Sequence, residues 1–156
     1  MVMTLLNVTL ADLTSRTGLS VLDHLEQQLT LPIIDGLQAQ GDLIAIPLAM
    51  LTDVTVSQLA RWRPVPLQGV ELLRGAAGGN PHTLVADADT CEWTTEVRDV
   101  QRLAIGVLRA SAAVYLIHPE HGGSGISPGT YVIRRQRERV TSRDSWGQRH
   151  DQLVAD

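Results

Sequence analysis

The sequence predicts a mainly β fold, a small antiparallel barrel or sandwich with an N-terminal helical arm. Three observations predict it. From Gly41 onward, short segments rich in Val, Ile and Tyr alternate with proline and glycine turns. No βαβ rhythm separates them, so one antiparallel sheet, closed or folded over, is the natural way to bury their apolar faces. Ahead of them, Leu22, Leu25 and Leu29 recur at i, i+3 and i+7, one stripe of a helix.

Taken in order, Leu10 and Leu13 lie three apart and open the arm. Ser20 and Asp23 stand where an N-cap and an acidic first-turn residue belong, with Gly18 just outside. Pro32 and Gly36 then interrupt the pattern, so residues 1–38 form the arm. Leu43 to Leu48 is an apolar strand that Pro47 confines to a strand end or a sheet edge. Val56, Leu59 and Ala60 keep helical spacing, which predicts a short helix over Val56 to Trp62; Pro64 and Pro66 follow as an extended linker. Strands are expected at Val70 to Arg74 and His82 to Ala86, around a loop from Gly75 to Pro81. Asp87 to Gln101 is polar and acidic and reads as a long loop with one helical turn. Leu103 to Leu108 and Ala112 to His118 form another strand pair, and Ser127-Pro128-Gly129 is a turn that launches Thr130 to Arg137. The β domain therefore spans 39–140, and 141–156 reads as a polar tail.

Composition narrows the chemistry. The chain has 156 residues, 44% of them hydrophobic and 19% charged, enough for one domain with a proper core. All 13 basic residues are arginine, which excludes a lysine Schiff base and a P-loop lysine. Cys91 alone excludes an internal disulfide and a cysteine-built zinc site. Met1 to Leu6 lacks the basic start of a signal peptide, and no run is long enough to span a bilayer, so a soluble cytoplasmic protein is expected. The net charge of −4 disfavours nucleic acid as a partner. Arg135, Arg137 and Arg139 would nevertheless share one face of a strand, with Tyr131 on the same parity; a charged, protected edge strand is the preferred account of them over phosphate contacts.

The candidate site is a histidine cluster. His82 opens a strand after Gly78-Gly79-Asn80-Pro81, and His118-Pro119-Glu120-His121 closes another. Two or three imidazoles with a carboxylate suit zinc or non-haem iron. His82, His118 and His121 are the candidate ligands. Glu120 is a fourth ligand, or the general base for a metal-bound water. The alternatives are a structural hydrogen-bonded network and metal-free acid–base catalysis. Gly122-Gly123-Ser124-Gly125 departs from the G-x-S-x-G elbow, because Ile126 holds the last position, and reads as a flexible glycine turn.

Several motifs occur in a telling order: Gln40-Gly41-Asp42 opening an apolar strand that ends in Pro47, Asn80-Pro81-His82, His118-Pro119-Glu120-His121, Pro128-Gly129-Thr130-Tyr131 and Arg135-Gln136-Arg137-Glu138. From Gln40 to Asp156 the chain resembles a family of short, uncharacterised bacterial and phage proteins with no established activity. The resemblance implies that His82, His118, Glu120 and His121 belong to a recurring set. Two positions depart from it: Asn80 stands where a histidine is usual, and Arg139 where a tyrosine is. Two functions follow as expectations: a divalent-metal module, or a non-catalytic subunit of a larger, phage-like assembly. The subunit would dock an unidentified protein, or a second copy of itself, through the helical arm.

Overall fold

The computed structural model describes residues 8–22, 25, 27–73, 81–143 and 149–153. One α-helix, α1 (Leu10–Thr17), comes first. Strands β1 (Ile33–Ile34), β2 (Gln38–Gln40) and β3 (Leu43–Pro47) follow, then a 3₁₀ turn at Leu48–Met50. Next come β4 (Val54–Val56), β5 (Arg63–Pro64), β6 (Val70–Leu73), β7 (His82–Val85), β8 (Cys91–Thr94) and β9 (Val97–Asp99). The chain continues through β10 (Ala104–Ala110), β11 (Val114–His118), β12 (Gly122–Ile126), β13 (Gly129–Arg135), β14 (Arg137–Arg143) and β15 (Arg149–Leu153).

Two sheets face each other as a sandwich; neither closes into a barrel. One has the order β1-β12-β11-β7-β6, the other β2-β3-β13-β10-β8-β5. Leu84, Val114, Leu116 and Ile126 from the first meet Leu43, Ala45, Leu108, Tyr131 and Ile133 from the second in one buried cluster. Because side chains alternate along a strand, the neighbours Val85, Tyr115 and Ile117 point out of the opposite face of the first sheet. There Val8, Leu10 and Leu13 cover them. On the far side of the second sheet, Val107 and Val132 pack against Val54 on the β4–β9 ribbon. The central strands of both sheets are thus covered on both faces. This is why β11 is buried at every position and reads as an unbroken apolar run.

Several expectations are corrected. The helix lies at Leu10–Thr17, where Thr9 and Asp12 form a reciprocal capping box and Gly18 ends it in the left-handed region. The leucine stripe beyond Ser20 is not helical at its described positions. Instead the chain returns antiparallel on itself, with Thr9 bridged to Thr30 and Leu31 N–H bonded to the Val8 carbonyl. Asp23 and the loop from Gly75 to Asn80 lie outside the described residues. Val56 to Trp62 has no helix, because Val56 is paired to Val97. Asp87 to Gln101 holds two strands, β8 and β9, rather than a loop. Positions 141–143 and 149–153, read as tail, belong to the β14–β15 pair. Gly122–Gly125 is a strand, not a turn: a Cβ on Gly125 would stand 2.9 Å from the Pro32 carbonyl oxygen, so glycine lets β1 run close beside β12. That pairing is parallel, where only antiparallel pairs were expected.

Candidate functional site

The alternation that builds the core also builds the site. His82 shares the parity of Leu84 on β7, and His118 shares that of Leu116 on β11, so both imidazoles enter the space between the sheets. Opposite them, the β2–β3 hairpin turns through Gly41 at φ 56° and delivers Gln40 and Asp42. Gln38, Gln40, Asp42, His82 and His118 are all buried, forming a polar layer at one end of an apolar sandwich.

Each polar atom in such a layer costs free energy unless it is paired. Gln40 Nε2 donates to the Leu116 carbonyl at 3.0 Å, which orients its Oε1 toward His82 Nδ1, also at 3.0 Å. The other ring nitrogen of His82 lies 2.8 Å from Asp42 Oδ1. Both nitrogens of a fully buried imidazole are therefore engaged by oxygens of the facing sheet. His118 plays a different part. Its Nδ1 accepts the backbone N–H groups of Glu120 at 3.1 Å and His121 at 3.3 Å, closing the turn after β11 and leaving the ring proton to Nε2.

The rings of His82, His118 and His121 form a column. Successive centroids are 4.5 Å apart, and His82 and His121 are 6.3 Å apart and nearly parallel at 9°. The column runs from the buried His82 to His121, which is exposed. The three predicted histidines are thus brought together. Glu120 sits at the turn with its side chain exposed, and Asn80 lies outside the described residues. Among the described residues, no group of three or more His, Cys, Asp or Glu is placed to hold a metal ion.

Sequence reasoning assigned no role to Gln40 and Asp42, the two residues that hold His82. The Gln40-Gly41-Asp42 motif was the available signal. The arginine stripe is also altered. Tyr131 is buried, with its hydroxyl 2.9 Å from Ser127 Oγ, while Arg135 is exposed and Arg134 is taken up by Asp53 and Asp99. Burial pushes the Cys91 thiol up to about 12, so it offers no nucleophile near neutral pH.

A small β-sandwich whose sheets are tied at one end by a buried Gln–His–Asp bridge is the class of protein that this geometry defines. Residues 39–136 match the family described as a domain of unknown function (DUF8820), and the chain belongs to that family. The match begins within β2 and ends just after β13, so it contains Gln40, Asp42 and the three histidines. No curated protein and no solved structure matches the chain. Among the described residues, no helix is long and apolar enough to cross a membrane.

Proposed function

We propose that the chain is a non-catalytic interaction domain that pairs with a second copy through the segment preceding β2, with the histidine layer as its internal hub. The observation that carries this reading is a run of exposed large apolar side chains: Leu22, Leu29, Ile33, Ile34 and Leu37, with Leu29 69% exposed. All lie N-terminal to the family match. Val8, Leu10 and Leu13 of the same segment are buried against the first sheet, so the segment is anchored while leaving apolar surface exposed. β1 is also the last strand of its sheet. An edge with two exposed isoleucines pairs most simply with the same edge of another copy about a two-fold axis. Light scattering on the full chain should give a dimer, and the I33D/I34D variant a monomer. A monomeric wild-type chain would overturn the proposal.

A divalent metal, zinc or iron, is the second reading, favoured by the grouping of three imidazoles within 6.3 Å. His82, His118 and His121 would be ligands, and Glu120 the fourth ligand or the base for a bound water. It requires His82 to exchange Gln40 or Asp42 for the ion. Metal analysis of untagged protein after reconstitution with zinc or iron decides it: a metal-to-chain ratio near zero removes this reading.

A further inference from the structure

The two sheets end, on the side away from β1 and β2, in the edge strands β6 and β5. Between these edges lies a cleft of about 630 Å³, within the range of small-molecule sites. Its apolar wall comes from Pro64, Val70 and Trp93, and its charges include Arg61, Arg63 and Glu96. Alternation explains the arrangement. Arg61 and Arg63 both line the cleft, while Trp62 between them packs on the opposite face of the second sheet, its ring 4.0 Å beneath the Arg109 guanidinium. Arg16, Arg109 and Arg134 are bound in ion pairs with Asp87, Glu92, and Asp53 and Asp99. Among the described residues, neither Arg61 nor Arg63 makes an ion pair. Glu96 is held in place because its carboxylate accepts the Arg61 backbone N–H.

The charge pattern selects the ligand. A phosphate-like dianion would meet two guanidinium groups but also the Glu96 carboxylate, and a dication would meet the reverse. A zwitterion satisfies both signs at once. Strand addition by a peptide along β5 is disfavoured, since Val65 N–H is spent on the Cys91 carbonyl and Pro64 has no N–H to offer. We propose that this cleft binds an apolar α-amino acid, its carboxylate on Arg61 and Arg63, its ammonium toward Glu96, and its side chain against Pro64, Val70 and Trp93. Guanidinium groups favour carboxylate through paired, charge-assisted hydrogen bonds.

Titration of the full chain with L-phenylalanine, N-acetyl-L-phenylalanine and L-phenylalaninamide, read by calorimetry and tryptophan fluorescence, tests it. The zwitterion should saturate with a Kd between about 10 μM and 1 mM. The acetylated and amidated forms, each lacking one charge, should bind at least about tenfold more weakly, as should the zwitterion to R63A. Arg63 is exposed, and unchanged circular dichroism would show that R63A folds. No saturation by phenylalanine at about 10 mM, equal binding of a blocked form, or unchanged binding to R63A would each overturn the proposal.

Discussion

Asp99 shows how a single residue replaces the loop expected between Asp87 and Gln101. Its side chain is 3% exposed and bonds to Arg134 while accepting the backbone N–H groups of Gln101, Leu103 and Ala104. Burial alone would raise its carboxyl. The hydrogen bonds from Gln101, Arg134, Leu103 and Ala104 outweigh it and hold the group below its ordinary value of 3.8. A depressed folded value means that the ionised form supports the fold. That support is complete above the ordinary value and is lost as pH falls through the folded one. Urea unfolding of D99N at successive acid pH values should therefore show lower stability near neutrality and a flatter decline below about pH 4. A decline as steep as that of the wild type would contradict this role. The histidine site repeats the lesson at closer quarters. His82, His118 and His121 are legible in the sequence because imidazoles are rare and chemically marked. The partners of His82 are not, because Gln40 and Asp42 lie 42 and 40 residues away and only the folded sandwich brings them across.

At the scale of elements, legibility follows burial. β10, β11 and β13 are visible as Val- and Ile-rich runs because both of their faces are covered. β8 and β9 are hidden by Glu92, Arg98 and Asp99, charges that break the apolar pattern and read as loop. Helix α1 is short and buries only Leu10 and Leu13, so its periodicity is weaker than the leucine stripe that follows. That stripe is held instead by contacts distant in sequence, such as Leu22 N–H on the Pro119 carbonyl. β12 misleads for a physical reason: its glycines mark close approach rather than a turn. In Gly125→Ala the new Cβ would lie 2.9 Å from both the Pro32 carbonyl oxygen and Ile33 Cγ1, against backbone that cannot retreat without parting β1 from β12. The expected loss is about 1–3 kcal/mol by urea unfolding, as for other overpacked sites. A neutral substitution would show that β1 is not fixed there.

Across the whole molecule, the apolar sandwich is tied at one end by a polar bridge between its sheets. Gln38 reaches the Gly125 carbonyl, Gln40 the Leu116 carbonyl and His82, and Asp42 the far nitrogen of His82. Such a layer fixes the register of the sheets, because sliding one past the other would strand several buried polar groups. An incoming ion would have to displace Gln40 or Asp42 from His82. The structure thus engages both ring nitrogens of His82 with Gln40 and Asp42. Nitrogen–proton correlation spectra of the histidine side chains, recorded on the full chain with and without an equivalent of zinc, test it most directly. With both ring nitrogens engaged by Gln40 and Asp42, the His82 nitrogen shifts should stay unchanged on adding zinc. Movement of a His82 ring nitrogen together with one of His118 or His121 on adding zinc would contradict it.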